Sequence, residues 1–376
     1  MRRQAKAARG AGNLFVGNTL SVIVQGVGAI VVARLLGVRL YGLYTLALVP
    51  AGVVFVFTRM GIAAGTTRYI AHYRSTNESG KDKEILAAAL TLGLFVYLGL
   101  TGVSYAVAPF FASEVLKQPG LASLARFASV TVVLQGFSNL SSSALNGYFR
   151  TRVSGALLVA QAVAKYGVAI GLIAAGLGIY GAVAGTVAGF GFGAALGLLA
   201  LWRHGHIARP RRFRENAVRL LSFGLGNYVS SLTAGLSAQL QLILIADLAA
   251  ASAVGAFTAA GNMTNMVGLV SYPVATILVP AFAEVSSQGS ERLASSYSKA
   301  AALSALTIIP ASAFLAAVSG VAFPTLYGHS YRGYEPVLVA AALGGFSAVF
   351  AYKVQGAAFT GTGNTWFNAY STGTQS

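Results

Sequence analysis

The sequence predicts an all-α membrane protein that crosses the bilayer about ten times. Hydrophobic residues make up 56% of the 376-residue chain and charged residues only 9%, whereas a soluble domain carries about 25% charged residues. Apolar stretches recur from end to end, and each has roughly the 20 residues that a helix needs to span a bilayer.

The predicted spans follow one another along the chain with short polar connections. We place them at 13–33, 42–62, 85–107, 121–143, 153–175, 180–202, 220–245, 254–279, 298–320 and 335–356. The first span follows a basic segment, but no small-residue cleavage site interrupts the apolar run, so we expect an uncleaved helix rather than a signal peptide. The fourth span is rich in serine, and its polar face suits a helix that faces a cavity rather than lipid.

The basic residues predict which ends of the spans face the cytoplasm. With the N-terminus inside, most of the 26 lysines and arginines fall on the inner side, and the outer side holds Arg34, Arg39, Lys117, Arg126 and Arg332. This asymmetry follows the positive-inside rule, and it explains the net charge of +17 without nucleic acid as a partner. We expect a multi-pass protein of the plasma membrane with a cytoplasmic N-terminus.

A basic segment, RHGHIARPRRFRENAVR at 203–219, divides the spans into two groups. We expect an N-terminal six-helix bundle at 1–203, a basic cytoplasmic linker at 204–219, and a C-terminal bundle of about four helices at 220–376. His204 and His206 lie beside arginines without a nearby carboxylate, so we expect no metal site there.

The two groups share a short repeat. YGLYTLA at 41–47 matches VGAFTAA at 254–260, an offset of 213 residues (254 minus 41). An even number of spans separates the copies, so they share one orientation, which predicts parallel repeats about an axis along the membrane normal. Chance alignment of small residues is the competing explanation.

Nothing in the sequence indicates catalysis or a cofactor. GLGIYG at 176–181 fits the dinucleotide pattern G-x-G-x-x-G, but it joins two predicted membrane helices and lacks the acidic residue expected about twenty positions later. We interpret it as an outer turn. The sequence also contains no G-x-x-x-x-G-K-[ST] motif and no paired intramembrane carboxylates, so we expect a protein that is not an enzyme.

Glycines recur every fourth residue along the sixth span, at Gly181, Gly185, Gly189, Gly193 and Gly197. Because a four-residue step keeps them near one face, they predict a tight helix–helix seam. The alternative is a smooth surface on which helices slide during transport.

Three polar residues within the spans are candidates for substrate binding. Lys165 lies near the centre of its span, where a lysine costs about 3 kcal/mol, so we expect it to face a hydrated cavity or a partner. A neutral lysine held by backbone carbonyls or serines is the alternative. Arg59 and Gln25 are further candidates, with snorkelling to the surface and helix–helix contact as their respective alternatives.

Arg34 and Asp247 occupy matching outer positions at the 213-residue offset. They are candidates for an external gate in which the two side chains pair across the halves. The alternative is that each is a solvated loop residue.

The region that joins the first two spans resembles a known family. The segment at 31–75 contains an A-R-x-L-G-x-x-x-Y-G-x-Y run, similar to the opening of polysaccharide-biosynthesis flippases. Those proteins belong to the multidrug/oligosaccharidyl-lipid/polysaccharide exporter superfamily. The segment at 221–263, with Pro280 beyond it, resembles the family's seventh and eighth helices. Relatives have twelve to fourteen helices, so we expect a shortened C-terminal bundle.

This resemblance implies two bundles around a central cavity that opens alternately to either side. The implied cargo is a polyprenyl-(pyro)phosphate-linked oligosaccharide, moved from the cytoplasmic to the outer leaflet for polysaccharide or glycan biosynthesis. The ammonium of Lys165 suits a phosphate linkage, although no local motif assigns that role. The implied partners are the lipid-linked glycan, membrane lipids, a coupling ion, and the glycosyltransferases or polymerase of the same pathway.

Two alternatives stay open. An ion-coupled efflux transporter for small cationic compounds would need intramembrane carboxylates, and Asp247, near a surface, is its one candidate in the sequence. A non-transporting membrane scaffold of a glycan synthase complex is the second alternative, because the second half is short.

Overall fold

The computed structural model describes residues 2–76, 78, 80–204, 206, 212–268 and 290–349, and within these residues the chain is helical with no strand. The α-helices are α1 (Arg2–Val56), α2 (Ile62–Ser75), α3 (Lys81–Phe110), α4 (Ala122–Ala128), α5 (Val130–Gly147), α6 (Thr151–Leu172), α7 (Gly178–Arg203), α8 (Phe213–Leu248), α9 (Ala251–Gly268), α10 (Ser290–Tyr327) and α11 (Glu335–Val349). Short 3₁₀ turns lie at Phe57–Arg59, Pro119–Leu121 and His329–Tyr331, and π-helical turns at Phe111–Val115 and Ile173–Leu177.

Six helical stretches in the described residues are long and apolar enough to cross a membrane: Leu14–Val56, Lys81–Val115, Pro119–Gly147, Thr151–Arg203, Ser231–Leu248 and Ala294–Tyr327. The first holds 43 residues, about 65 Å of straight helix at 1.5 Å per residue, which is twice the thickness of the hydrocarbon layer. This stretch and Thr151–Arg203, which has 53 residues, are therefore each long enough for two crossings.

Glycines with positive φ divide the two longest stretches. Gly37 has a φ of 74° and a ψ of 166° within α1, a conformation open to glycine because it has no Cβ. Gly176 and Gly178, with φ of 90° and 48°, do the same between α6 and α7, within the GLGIYG segment interpreted as a turn. Each division separates two of the predicted spans.

Two boundaries differ from the sequence prediction. Helix α2 lies where we expected a connection between the second and third spans. We did not predict it, because its mixed composition lacks an apolar run. Helix α8 begins at Phe213, so the last seven residues of the expected linker are helical. The predicted spans 254–279 and 335–356 end outside the described residues.

Helices α1 and α9 join the two halves through a symmetric contact. A Cβ added to Gly42 would overlap the carbonyl oxygen of Ala251, and a Cβ added to Gly255 would overlap that of Val38. Ala251 and Gly255 match Val38 and Gly42 at the 213-residue offset. The same backbone contact therefore occurs twice about a two-fold axis between the repeats.

Helices α6 and α7 pack along the predicted glycine face. A Cβ on Gly189 would lie 2.5 Å from the Cβ of Lys165, and one on Gly185 would lie 2.5 Å from the Cβ of Ala169, both on α6. All five glycines of the series are buried. The tight-seam interpretation of this face is confirmed.

We name the two ends of the bundle by their landmarks. The Gly37 end also holds the α6–α7 and α8–α9 turns, and the linker end is where α7 ends and α8 begins. At the Gly37 end both halves contribute to one apolar core, in which Phe323, Tyr327 and Tyr331 are fully buried with ring centroids 5.2–5.4 Å apart.

Candidate transport cavity

A cavity of about 520 Å³ lies between the two halves. Helices α1, α5, α6 and α7 line it from the first half, and α8 and α9 line it from the second. Its polar lining side chains are Tyr41, Tyr44, Thr45, Thr131, Gln135, Lys165, Tyr166, Thr186, Gln239, Thr258 and Asn262. Thr131 and Gln135 belong to the fourth predicted span, so its polar face does look into the cavity.

Lys165 lines this cavity from α6, where its side chain is partly exposed. Its ammonium lies 5.1 Å from the centre of the Tyr166 ring, and Tyr44 lines the same cavity. Lys165 is absent from the ion pairs of the described residues. The lining therefore carries one cation and, among the described residues, no carboxylate.

Hydrogen bonds fix several of the polar side chains that line the cavity. The hydroxyls of Tyr44 and Thr186 are 2.9 Å apart, and Thr186 Oγ1 donates to the carbonyl of Ala182 at 3.1 Å. Across the halves, Asn262 Nδ2 donates to the hydroxyl of Tyr41 at 3.0 Å. These bonds place neutral donors and acceptors beside a single positive charge.

Gln25, another of the substrate-binding candidates, does not line the cavity with Lys165. Gln25 is exposed, donates to Ser21 Oγ at 3.1 Å, and is not part of the cavity lining. Arg59 ends the 3₁₀ turn after α1, at the linker end, and its side chain lies outside the described part of the chain.

Arg34 and Asp247 do not pair with each other in this structure. Asp247 forms an ion pair with Lys117, which lies in the connection between α3 and α4. Arg34 donates instead to the carbonyl of Thr325 at 3.2 Å. Both contacts cross between the halves at the Gly37 end, so the expected gate position holds cross-half contacts with different partners.

His206 is buried at the linker end and stacks on Tyr148, with ring centroids 3.7 Å apart and planes 7° from parallel. Burial, together with the nearby cations Arg150 and Arg74, lowers the pKa of His206 to about 4. The described residues contain no group of three or more His, Cys, Asp or Glu side chains that would hold a metal.

Several cavity residues were not indicated by the sequence. Gln135, Gln239 and Asn262 are ordinary polar residues in membrane helices, and their convergence depends on helix packing. Tyr44 carried a usable signal, because the repeat has Phe257 at the matching position. A hydroxyl present in one copy of a shared motif marks a difference in what the two copies contact.

The arrangement is suited to binding an anion that also carries hydroxyl groups. An ammonium without a carboxylate partner attracts negative charge strongly in a poorly solvated cavity. Amide and hydroxyl side chains supply the directional donors and acceptors that orient a polar ligand. A cation, in contrast, would find no opposite charge among the described lining residues.

The fold and the cavity define a multi-pass membrane protein built from two helical repeats. The sequence pattern of the family described as "Polysaccharide biosynthesis protein" matches residues 31–336. The chain belongs to this family.

A relative with a described role is the probable low-salt glycan biosynthesis flippase Agl15 of Haloferax volcanii. This chain is 24% identical to it over 305 residues, which is 81% of this chain and 61% of Agl15. The chain therefore spans less than two thirds of the length of that relative.

Solved transporters share the fold. An inward-facing multidrug resistance MATE family transporter of the MOP superfamily aligns with a TM-score of 0.76 at 17% identity, covering 94% of this chain and 83% of that chain. An outward-facing transporter of that description gives 0.64 at 18% identity, covering 96% and 84%. A MOP superfamily transporter from Pyrococcus furiosus, described as having a binding pocket of reverse polarity, gives 0.60 at 17%, covering 97% and 84%.

Proposed function

We propose that this protein is a flippase that moves a polyprenyl-(pyro)phosphate-linked oligosaccharide from the cytoplasmic to the outer leaflet by alternating access. The observation that carries the proposal is the cavity between the halves, whose described lining holds Lys165 and no acidic residue. Family membership and the similarity to Agl15 support the glycan class of cargo.

The charge of the cavity favours this cargo for a physical reason. Keeping a lysine near the centre of a membrane helix costs about 3 kcal/mol, and among the described residues no ion pair offsets that cost. A phosphate linkage would neutralise the ammonium. The sugar hydroxyls would then exchange hydrogen bonds with neutral side chains such as Gln135, Gln239 and Asn262, which line the same space.

The Gly37 end supplies the corresponding outer gate. We define this gate as the Gly42–Gly255 backbone contact together with the Lys117–Asp247 ion pair. Both join the first half to the second, so access from this end requires them to separate. Arg34 belongs to the same region through its bond to Thr325.

The direct test is translocation of a fluorescent polyprenyl-pyrophosphate glycan in proteoliposomes. Native protein is expected to move the lipid, Lys165→Arg to keep part of the activity, and Lys165→Ala to lose most of it at unchanged folding. Lys83→Ala is the matched control, because Lys83 is exposed on α3 outside the cavity. If Lys165→Ala moved the lipid as fast as native protein, the cationic cavity would not be the cargo site.

Efflux of small cationic compounds is a second candidate, supported by the similarity in fold to MATE family transporters. The positive cavity argues against it, because Lys165 repels a cation. Uptake of a cationic dye by the same proteoliposomes tests it, and dye transport without lipid transport would favour efflux. Failure of both assays would favour a membrane scaffold.

We propose further that the protein lies in the plasma membrane with its N-terminus in the cytoplasm. Its partners would be the glycosyltransferases or polymerase of the same pathway, with a coupling ion driving transport. We also propose that the chain has no catalytic activity of its own, because transport families of this kind move their cargo without chemical change.

A further inference from the structure

The turn between α10 and α11, in the second half, lies against the corner of α1 at Gly37, in the first half. Arg34 Nη1 donates to the carbonyl of Thr325 at 3.2 Å, and the backbone N–H of Val38 donates to Ser330 Oγ at 3.4 Å. A Cβ added to Gly37 would lie 3.5 Å from the same Ser330 Oγ. These contacts cross between the halves, so the turn must move away from α1 if the Gly37 end is to open.

Two tyrosines beneath this turn differ in how their hydroxyls are satisfied. Tyr327 and Tyr331 are both fully buried, and their ring centroids are 5.2 Å apart. The Tyr327 hydroxyl donates to the carbonyl of Ala259 on α9 at 3.1 Å. Tyr331 follows Ser330 in the sequence, and its hydroxyl has no hydrogen-bond partner among the described residues. One of two neighbouring phenols is therefore paired and the other is not.

The unpaired hydroxyl of Tyr331 destabilises the arrangement in which the turn covers it. A buried polar group without a partner has lost its hydrogen bonds to water and has gained none within the protein. Phenylalanine would fill the same space with its ring and would carry no hydroxyl to leave unpaired. Buried hydroxyls of this kind are uncommon in folded proteins, and this one lies at a contact that has to separate.

We infer that Tyr331 sets how readily the outer gate opens, because its unpaired hydroxyl destabilises the closed state and gains hydrogen bonds to water when the α10–α11 turn leaves α1. This inference rests on the proposed function, since it takes the Gly37 end as the outer gate of an alternating-access transporter. Arg34 and Ser330 hold the turn against α1, whereas Tyr331 favours its release. Such opposing contributions keep two states close enough in free energy for both to be populated.

The test uses the thiol introduced by Thr45→Cys, which lines the cavity in a chain that has no cysteine. The rate at which an impermeant maleimide labels this thiol in intact cells reports opening of the Gly37 end. Tyr331→Phe is expected to slow labelling about five- to thirtyfold, which corresponds to about 1–2 kcal/mol, and to raise the temperature of thermal unfolding in detergent. Arg34→Ala should speed labelling, because it removes the bond to Thr325.

Tyr327→Phe is the matched control, because it makes the same chemical change in the same cluster but removes a hydroxyl that has a partner. The carbonyl of Ala259 loses this donor, so the unfolding temperature should fall and labelling should not slow. A purely structural effect of the Tyr331 hydroxyl would raise the unfolding temperature in Tyr331→Phe and leave the labelling rate unchanged. The labelling rate therefore separates a role in the gate from a role in stability alone.

The remaining outcomes separate this inference from the proposed function. Labelling of Tyr331→Phe at the native rate or faster overturns the inference, and so does a lower unfolding temperature, which would show that the hydroxyl has a partner such as a buried water. Absence of labelling in native protein and in every variant also overturns it, because the Gly37 end then does not open to the outside. Native protein that is labelled but moves no lipid in proteoliposomes overturns the proposed cargo, and the labelling rates still decide the role of Tyr331.

Discussion

Gly189 determines how close Lys165 lies to the neighbouring helix. A Cβ at this position would fall 2.5 Å from the Cβ of Lys165 and 2.9 Å from its Cα, and these atoms cannot move without the backbone of α6. Gly189→Ala should therefore force α6 and α7 apart, lower the free energy of unfolding by about 1–3 kcal/mol, and reduce lipid translocation.

A second glycine of α7 provides the control for this prediction. At Gly191 an added Cβ would lie 3.6 Å from Leu134 Cδ1, an ordinary contact. Gly191→Ala should leave thermal stability in detergent and translocation close to native. Equal effects of the two substitutions would show that the α6–α7 spacing does not limit the activity.

Protonation of His206 predicts a pH dependence of stability. Its folded pKa is about 4 against an ordinary 6.5. Above pH 6.5 neither the folded nor the unfolded chain binds the proton, so His206 does not make the free energy of unfolding depend on pH. As pH falls from 6.5 to 4 the unfolded chain binds a proton that the folded chain does not, so the free energy of unfolding falls.

Thermal unfolding between pH 7.5 and pH 4.5 tests this dependence. His206→Phe keeps a ring against Tyr148 and cannot be protonated, so its stability should fall less with pH than that of native protein. His204→Phe is the control, because His204 is exposed. A native-like pH profile in His206→Phe would assign the dependence to other groups.

At the scale of elements, the contact between α1 and α9 dominates the proposed outer gate. The Lys117 and Asp247 side chains are 69% and 48% exposed, and pairs of that exposure contribute about 0.2–1 kcal/mol. At Gly42 and Gly255 the backbones of α1 and α9 lie so close together that no side chain fits between them. Gly255→Ala should therefore hold the gate apart and slow translocation, whereas loss of the ion pair should have a small effect.

The absence of cysteine from the chain allows the gate to be probed with one introduced thiol. Thr45→Cys places it in the cavity lining, where a membrane-impermeant maleimide added outside should label it several-fold faster when Gly255→Ala is also present. Gly261→Ala is the control in the same helix, because nothing lies within 4 Å of a Cβ there. Equal labelling with both glycine substitutions would remove Gly255 from the gate.

At the scale of the whole molecule, the distribution of basic residues predicts the orientation in the membrane. Ser123 near the Gly37 end and Ser75 at the opposite end are both exposed. Ser123→Cys should react with an impermeant maleimide in intact cells, and Ser75→Cys only after permeabilisation. The reverse pattern would invert the proposed direction of transport.

The two-fold relation between the halves places the cavity on the molecular axis. The repeat supplies Thr45 and Thr258 to its lining from equivalent positions, and each donates to the carbonyl four residues earlier, at 3.0 and 2.8 Å. Among the described lining residues the charge lies in the first half, at Lys165, while both halves shape the space around it.

The sequence by itself determined the class of protein, most helices and the repeat. Without water in the bilayer core every backbone group must bond internally, so a long apolar run becomes a helix regardless of its neighbours. The same local reasoning predicted the glycine face of α7 and singled out Lys165, because a lysine in an apolar span is costly wherever it lies. It overlooked α2, whose stability comes from burying Ile62, Ile70 and Tyr73 against other helices.

Only the tertiary structure decided which residues meet. Asp247 pairs with Lys117 rather than Arg34, because the α3–α4 connection, remote in sequence, lies beside the end of α8. Gln25 belongs to an apolar span as Lys165 does, yet it is exposed away from the cavity. The rotation of a helix about its axis depends on packing with neighbours that local sequence does not encode. Tyr44 and Thr186 come together for the same reason, across 142 residues of chain.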